Sequence, residues 1–451
     1  MTRWLFSAFI LCFAASTSFS QSASQKVAKV LTLDQATQIA LERNISVVTA
    51  QNTLDGQQSA VTAAYGNLLP SLTTSGSWQR AQRETQTTFI PGVGNIPLQQ
   101  SATANSFNTS VSSSLVLFNG FANTANLSRA TSNAVAAEHS LSRARQGVVY
   151  QVQSLYFNLL RNEQLLKVSQ DNLKRSRRQL EQIRESNRVG SRSIADVYRQ
   201  QVQVGNDELA LIQAQNNYDK ARADLVFALG LNVTDEYDFH DPSVKLDVDT
   251  TEFKAVNEQY RDYRVLINEA LGLRPDYLSA IENVNAANSA VTVALGGHFP
   301  TISGFVSYGL NSSELDKLRD NKNLLWGLNI SFPLFNGWQT TNQVQQTKVT
   351  LRNAEQQLSQ AERQVQVDIK KSLLDLEAAE KQVDVTVNSV VSATEDRRIA
   401  EEKYNLGAGT ILDLLTANAN YTLALSNKVN AAYNYYLVKK QLEYNIGRAR
   451  Y

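Results

Sequence analysis

Apolar residues recur at every seventh position along a stretch of the chain that contains no proline. Between residues 123 and 187 the series comprises Leu141, Val148 and Leu155, followed by Leu159, Leu166, Leu173 and Leu180. A narrow apolar seam with this period is typical of a helix in a coiled coil, not of one sunk in a globular core. About 65 residues at about 1.5 Å each would form a rod of about 100 Å. Gly190 is predicted to end this rod, and a second helix of about 35 residues would return to Gly230.

The same pattern occurs twice. The sequence Leu-Phe-Asn-Gly at 117–120 recurs at 334–337, and the glycines at 190 and 230 recur at 407 and 447, always 217 positions later. Because loops drift in length and packed helices do not, the constant offset indicates a duplicated rigid unit. We therefore expect repeat 1 to span 21–230, with its helical hairpin at 121–230, and repeat 2 to span 269–451, with its hairpin at 338–447.

Four other segments alternate between apolar and small polar residues, which predicts β-strands. They lie at about 71–82, 106–117, 301–311 and 325–335. The last has an apolar face made of Trp326, Leu328, Ile330, Phe332 and Leu334. Strands of about ten residues with one apolar and one polar face are typical of a membrane β-barrel with a wet lumen, although a β-sandwich edge has a similar pattern. Segments 91–97 and 311–323 are expected to be exposed loops.

Shorter helices are predicted in front of the first strand. Thr32 and Gln35 have the spacing of a capping box, and a second helix from about Ser46 to Leu69 would end at Pro70. Acidic residues dominate 232–262, so we interpret 231–268 as a connector between the repeats. This connector is either a small side domain or a solvated linker.

Charge, cysteine content and the N-terminal segment indicate the class of protein and its cellular compartment. The chain has 43 Lys and Arg against 42 Asp and Glu, a net charge of +1 that does not favour nucleic-acid binding. Residues 1–20 are typical of a secretory signal peptide and include the only cysteine, Cys12. No later apolar run has the length of a transmembrane helix, so membrane residence would require a closed β-barrel. Since four strands cannot close such a barrel, we expect the chain to oligomerise.

The sequence does not indicate an enzyme. It has three histidines in unrelated contexts and no glycine-rich phosphate loop, so we expect no catalytic, metal or cofactor site. Two other readings stay open, a trimeric coiled-coil surface adhesin and a periplasmic scaffold protein. Strands interrupt the helices twice, which favours a conduit over an adhesin with a single terminal barrel.

In their order and spacing, these motifs resemble the TolC family of outer-membrane efflux proteins over essentially the whole mature chain. The residues that carry the resemblance are the segment 31–36, Pro70 and Pro300, the two Leu-Phe-Asn-Gly motifs, and the tip motifs Asp196-Val197 and Asp413-Leu414. The resemblance implies a mainly α fold whose hairpins form an α-barrel and whose four strands complete a trimeric, twelve-stranded β-barrel.

The resemblance also implies a function and partners. The chain would be the outer-membrane conduit of a tripartite efflux or type I secretion system in a Gram-negative-type bacterium. Its partners would be two further copies in a homotrimer, outer-membrane lipid, a periplasmic adaptor protein, and an inner-membrane pump or ABC exporter.

A gate at the hairpin tips is part of the same resemblance. Asp196 and Asp413 match gate positions of the family, and Tyr404 matches a position in its constriction network. Two positions depart from the family pattern. Thr416 stands where the family has a second acidic residue, and Gly409 stands where it has an arginine. The first repeat has Arg192 and Arg199 at the equivalent points instead, so the gate is expected to be differently connected.

Both aspartates also fit a local structural role. Each lies three residues after a serine or threonine, at Ser193 and Thr410, and a carboxylate is stabilised at the start of a helix. Capping and gating therefore both stay open. We expect both roles at Asp413 and mainly capping at Asp196.

The predicted tip turns contain Gly190 and Gly407, where a positive φ would favour glycine. Together with the neighbouring Val189 and Leu406, these glycines are candidate residues for docking an adaptor. The turn alone would be sufficient reason for the glycines.

Overall fold

The computed structural model describes residues 29–83, 86–99, 102–241, 246–247, 253, 256 and 258–451. The predicted signal peptide and part of the acidic connector lie outside these residues. The helices are α1 (Leu33–Arg43), α2 (Ile45–Gly66), α3 (Ala122–Arg188), α4 (Ile194–Ala228), α5 (Tyr263–Leu273), α6 (Pro275–Gly296), α7 (Gln339–Asn405) and α8 (Ile411–Ile446). The strands are β1 (Lys29–Leu31), β2 (Ser71–Arg83), β3 (Gln86–Ile90), β4 (Gly94–Gln99), β5 (Ala102–Asn119), β6 (Tyr237–Phe239), β7 (Thr301–Ser312) and β8 (Lys322–Ser331).

Two long antiparallel hairpins, α3–α4 and α7–α8, make up most of the chain. Helices α3 and α7 have 67 residues each, α4 has 35 and α8 has 36. The prediction of long helices joined at Gly190 and Gly407 is confirmed. Their matching lengths are those that a duplicated unit predicts.

The heptad positions of α3 lie in the interface between helices. Six of the seven predicted seam residues are buried: Leu141, Val148, Leu159, Leu166, Leu173 and Leu180. Leu155 is half-buried at the edge of the same apolar cluster. The bundle contains three apolar clusters, two that lie on either side of α8 and a third near the hairpin tips, so the apolar contacts do not form one central core.

One four-stranded antiparallel sheet adjoins the helices, with the strand order β2-β5-β7-β8. Strand β5 pairs with β2 on one side and with β7 on the other, and β7 pairs with β8. Trp78 of β2 stacks on the opposite Phe107 of β5 with ring centroids 6.5 Å apart. Among the described residues, the outer edges of β2 and β8 have no strand partner, so backbone donors and acceptors stay available there.

The strand boundaries correct two predictions. Strand β8 ends at Ser331, so the predicted strand over 325–335 is wrong beyond that residue. Pro333 explains the early end, because proline has no N–H to donate to the ladder. The predicted loop 311–323 is shorter than expected, since β7 and β8 extend into it and Asn311 N donates to Asn321 O at 3.3 Å.

The predicted exposed loop at 91–97 is partly a β-hairpin. Strands β3 and β4 pair antiparallel, with Ile90 opposite Gly94, and residues 91–93 form the turn between them. Gly92 and Gly94 both have positive φ, at 90° and 92°. The side chains of Phe89 and Val93 are each 69% exposed near this turn.

Helices α1 and α2 precede the sheet as predicted, although α2 is shorter than expected. Thr32 caps α1 and forms the predicted reciprocal capping box with Gln35. Helix α2 ends at Gly66, three residues before the predicted end at Leu69, because Leu68 N and Leu69 N donate three residues back, to Tyr65 O and Gly66 O at 3.0 Å, and form a turn before Pro70.

A two-residue left-handed turn precedes each long helix; it follows β5 directly in the first repeat and follows residues 332–336 in the second. Gly120 and Phe121 have φ of 63° and 64° in front of α3, and Gly337 and Trp338 have φ of 64° and 65° in front of α7. At Gly120 an added Cβ would lie 2.7 Å from the Cβ of Phe299, so only glycine fits. A left-handed aromatic residue is uncommon and indicates a backbone held by its surroundings.

Part of the acidic connector is structured. Strand β6 pairs in parallel with β1, and Phe239 is buried against the first apolar cluster. Tyr156 of α3 donates from its hydroxyl to Leu31 O at 3.0 Å and meets the Phe239 ring edge-on at 6.0 Å. The interpretation of this region as a featureless linker is therefore wrong for Tyr237–Phe239.

In the described part of the chain, no helix combines the length and the hydrophobicity needed to cross a membrane.

Candidate functional site at the hairpin tips

Each hairpin turns at its tip through five residues, from 189 to 193 and from 406 to 410. Gly190 and Gly407 adopt left-handed conformations with φ of 76° and 78°, and no neighbouring atom lies within 4 Å of an added Cβ at either glycine. The turn conformation thus accounts for both glycines without any close approach. Beside them, Val189 is 63% and Leu406 is 84% exposed, so each tip presents an apolar side chain at its end.

Arg192 joins the two tips. Its guanidinium carbon lies 4.1 Å from the centroid of the Tyr404 ring, and its Nη2 donates to the Tyr404 carbonyl oxygen. Asn187 Nδ2 in turn donates to the Arg192 carbonyl oxygen at 2.7 Å, which holds the tip turn in place. A cation over an aromatic face and a charge-assisted hydrogen bond both resist separation of the hairpins. We call this the tip contact.

Asp196 lies beside the tip contact. Its side chain is 18% exposed, and its Oδ1 is 3.8 Å from Arg199 Nη1. Burial raises the pKa of Tyr404, the carboxylate of Asp196 raises it further, and Arg192 acts in the opposite direction. The Tyr404 hydroxyl is buried and has no hydrogen-bond partner among the described residues. The structure thus brings together four of the predicted site residues: Arg192, Asp196, Arg199 and Tyr404.

Capping differs between the two aspartates, because Asp196 lies in the first turn of α4 but does not form the expected capping box. Ser193 Oγ accepts from Ala195 N at 3.1 Å, and the reciprocal bond of a capping box is absent there. Asp413 instead completes a capping box, since its Oδ2 accepts from Thr410 N at 3.0 Å and from Thr410 Oγ1 at 2.7 Å. The bonds from Thr410 lower the pKa of Asp413. The carboxylate that faces the tip contact is therefore Asp196, not Asp413.

The two positions that depart from the family pattern lie outside the tip contact. Thr416 is exposed on α8. At Gly409 an added Cβ would be 3.1 Å from the Cβ of Lys403, so a larger residue would need the end of α7 to shift. Arg192 supplies a guanidinium from the other hairpin.

Behind the tips, both hairpins share one apolar cluster. Its buried members are Leu173, Leu180, Ile183, Val197, Val204, Tyr404, Ile411 and Leu414. Because this cluster contains residues of α3, α4, α7 and α8, it makes the four helix ends one packed unit. In the described chain, no three His, Cys, Asp or Glu side chains lie close enough to share a metal ion.

A polar ladder above this cluster was not predicted. Asn172 Nδ2 donates to Asp207 Oδ1 at 2.9 Å, and Thr422 Oγ1 donates to Asn172 Oδ1 at 2.9 Å. Gln200 donates from Nε2 to both Ser176 O and Ser176 Oγ at 3.0 Å. The bond between Thr422 and Asn172 joins the two hairpins, and the bonds of Asp207 and Gln200 join α3 to α4 within the first hairpin. Their sequence signal would have been polar residues next to an otherwise apolar heptad series.

Comparison with known proteins gives a consistent result. A sequence model described as "Outer membrane efflux protein" matches residues 36–231 and 266–448. The chain is 27% identical over 331 residues to the outer membrane protein TolC of Vibrio cholerae, covering 71% of this chain and 72% of that protein. It is 23% identical over 394 residues to the antibiotic efflux pump outer membrane protein ArpC of Pseudomonas putida, covering 86% of this chain and 77% of that protein.

A solved structure shares the fold. The crystal structure of the CmeC outer membrane channel of Campylobacter jejuni superposes with a TM-score of 0.78 at 19% identity. The superposition covers 92% of this chain and 86% of that one. Helical hairpins and sheet therefore have the same arrangement in both proteins.

Proposed function

Because this chain belongs to the outer membrane efflux protein family, we propose that it is the channel-forming subunit of a tripartite efflux or type I secretion system. It resides in the outer membrane and serves an efflux system. We further propose that the protein is a passive conduit, that three copies form a homotrimer, and that the conduit opens at the hairpin tips.

The open sheet carries the proposal of a homotrimer. Strands β2 and β8 each leave one edge without a strand partner in the described chain, and such edges are exposed templates for pairing. Joining β8 of one copy to β2 of the next would pair both open edges of the four-stranded sheet in every copy. Three copies with four strands each give a barrel of twelve strands, within the range of known membrane barrels.

Apolar side chains on β8 support contact with lipid. Trp326 is 76% exposed, Leu328 is 66% exposed and Ile330 is 65% exposed, all on one face of the strand. Contiguous apolar surface of this kind needs a cover, and the outward face of a membrane barrel provides it. The hairpins would then extend from the barrel into the periplasm as an α-barrel, with the repeats at 21–230 and 269–451 contributing equally.

The tip contact is the proposed closed-state link within each subunit. Arg192 of one hairpin holds Tyr404 of the other, and Asp196 and Arg199 adjoin them. Asp413 contributes indirectly, by capping α8 next to Tyr404. Separating the hairpins would break a cation–π contact and a charge-assisted hydrogen bond, which together oppose opening.

The proposed partners are a periplasmic adaptor and an inner-membrane pump or ABC exporter. Val189 and Leu406 are exposed at the ends of the tips, next to Gly190 and Gly407, and are the proposed adaptor contacts. The adhesin and scaffold alternatives are not favoured, because the family is that of outer membrane efflux proteins, ArpC is an antibiotic efflux pump outer membrane protein and CmeC is an outer membrane channel.

Single-channel recording in a planar bilayer tests this function. We expect the purified protein to show a small, stable conductance, and Arg192→Ala to raise it because the link between the tips is lost. Arg188→Ala is the matched control, since among the described residues Arg188 pairs only with Glu185 on its own helix. Equal conductance of Arg192→Ala and wild type would reject the gate. The absence of any conductance from a correctly folded oligomer would reject the conduit.

A further inference from the structure

A polar cavity lies between the two hairpins, beside the apolar cluster behind the tips and extending from it away from the turns. Its volume is about 530 Å³, and side chains of α3, α4, α7 and α8 line it. This volume is in the range of small-ligand sites. The polar ladder of Asn172, Asp207 and Thr422 forms one wall.

Two arginines from different hairpins meet in this cavity. The guanidinium carbon of Arg175, on α3, lies 5.3 Å from the centroid of the Tyr421 ring, and that of Arg397, on α7, lies 4.5 Å from the same centroid. Burial lowers the pKa of Arg175, and the positive charge of Arg397 lowers it further. The two cations are thus close enough to repel each other.

Their hydrogen-bond donors are largely unused. Arg175 donates once, from Nη2 to Asn172 Oδ1 at 3.3 Å. Arg397 makes no hydrogen bond or ion pair with any described residue, and its Nε is buried. An arginine has five donors in a planar fork, which suits an oxyanion. A buried donor without an acceptor, here Arg397 Nε, is costly, so the arrangement favours a bound group that accepts from Arg397 and from the neighbouring Arg175.

The carboxylates near the cavity offset these cations only in part, since burial and the charge of Arg397 lower the pKa of Arg175 more than the charge of Asp171 raises it. Oδ1 of Asp207 already accepts from Asn172 and from Gln203, both at 2.9 Å. Glu401 lines the cavity one turn after Arg397 but forms no ion pair with it in the described chain. The cavity lining carries three arginines, Arg175, Arg178 and Arg397, against two acidic residues, Asp207 and Glu401. The lining therefore has an excess of positive charge, which favours an anion.

Gln200 adds a complementary acceptor. Its side chain is 2% exposed and lines the cavity, and its Oε1 has no hydrogen-bond partner among the described residues. A ligand that also donates one proton would satisfy this oxygen. Hydrogen phosphate has both features, whereas sulfate has acceptors only.

We propose that this cavity binds phosphate, held by Arg175 of the first hairpin and Arg397 of the second, with Gln200 accepting from the phosphate hydroxyl. The bound anion removes the repulsion between the arginines and links the hairpins. It would thereby stabilise closed tips, a consequence that rests on the proposed gate. Nothing in the binding itself depends on that gate.

Equilibrium dialysis of the full-length, detergent-purified protein against radiolabelled phosphate tests the site. We expect saturable binding, weakened about tenfold or more in Arg397→Gln, because hydrogen bonds to a charged group are lost. Arg398→Gln is the matched control, since Arg398 is the next residue and pairs with Glu395 and Glu402 outside the cavity. Sulfate should compete less well than phosphate, and this preference should disappear in Gln200→Leu.

Several results would overturn the site: no binding by the wild type, equal affinity of Arg397→Gln and Arg398→Gln, or equal competition by sulfate. If Arg397→Gln does not fold, Arg397→Lys keeps the charge and loses the planar fork, and should still bind more weakly than the control.

A second readout separates the site from the gate. At constant ionic strength, replacing chloride with phosphate should lengthen closed times of the wild-type channel and leave those of Arg397→Gln unchanged. Phosphate binding without this effect would overturn the link to the tips. Binding by a protein that never conducts would refute the proposed function while leaving the site intact.

Discussion

Replacing Arg274 with methionine would leave two carboxylates without their main partner. The Arg274 side chain is 4% exposed at the start of α6. It donates to Asp276 at 2.6 and 3.0 Å, to Asp368 at 2.9 Å and to Asn445 O at 3.4 Å. These contacts join α6, α7 and α8, so the substitution should loosen the junction of three helices.

The expected loss of stability depends on the contacts that Asp276 and Asp368 keep after the substitution. Removing one partner of a buried ion pair typically costs about 3–5 kcal/mol. Here the carboxylates keep some support, since Asp276 is 40% and Asp368 is 23% exposed, and Arg143 Nε lies 3.6 Å from Asp276. We therefore expect a loss at the low end, about 3 kcal/mol.

Hydrogen exchange followed by mass spectrometry measures this loss locally. A decrease of about 3 kcal/mol in the free energy of local opening lowers protection of nearby helix amides about a hundredfold. Arg264→Met is the control, because Arg264 is exposed on α5 and should change stability by less than about 0.5 kcal/mol. Adding Asp368→Asn to Arg274→Met should cost little more. Protection equal to that of the control would refute the assigned role of Arg274.

The same network predicts a dependence on pH. Burial acts to raise the pKa of Asp276, but its bonds from Arg274 and the charge of Arg143 lower it below its ordinary value. Because the pKa of Asp276 is lower in the folded protein, its carboxylate stabilises the fold at pH values above the unfolded-state pKa of about 4. This stabilisation is lost as the pH falls through the folded-state pKa. Wild-type protection should therefore fall in acid, and more steeply than that of Arg274→Met.

Three further substitutions test other parts of the fold. Gly120→Ala should prevent normal assembly of the sheet–helix junction, because the new Cβ would lie 2.7 Å from the Cβ of Phe299. Gly337→Ala meets no atom within 4 Å and should cost only about 1–2 kcal/mol for its positive φ, so the yield of folded oligomer should distinguish the two variants. Thr410→Ala should destabilise the start of α8 by about 1 kcal/mol, and Thr410→Ser should not, as seen in amide exchange at the tip. Tyr156→Phe should lower the thermal midpoint, since it removes a buried hydrogen bond worth about 1 kcal/mol to a strand β1 carbonyl oxygen. An unchanged midpoint would contradict that role.

Sequence periodicity predicts the helical part of this fold well. Leu159, Leu166 and Leu173 are buried as their spacing predicts, because a seven-residue period places side chains on one helix face whatever the partner is. The β3–β4 hairpin was missed because Pro91 and Gly92 signal a turn, and the short strands around it lack a clear apolar face. The end of β8 before Pro333 was missed because the alternation of side chains continues past it. The missing N–H of proline, which prevents further pairing, had to be given more weight.

The tip contact could only be predicted in part. Arg192 and Tyr404 are 212 residues apart, and no local pattern pairs them. The resemblance to a family identified the positions but not their geometry. A serine or threonine three residues before an aspartate fits a capping box at both tips, yet only Asp413 forms one. Which aspartate faces the other hairpin depends on how the two hairpins pack together, which the sequence of one tip does not encode.

The abrupt turn at Gly120 and Phe121 makes the long helix α3 a lever. Strand β5 passes into this helix through two residues with left-handed dihedrals, so the junction has little slack to absorb motion. A helix of 67 residues is about 100 Å long, so a tilt of one degree at the junction moves its far end by about 2 Å. Keeping two hairpin ends in register across a 4.1 Å ring contact thus demands angular stability at the membrane end, where a small rotation is amplified into a large displacement at the tips.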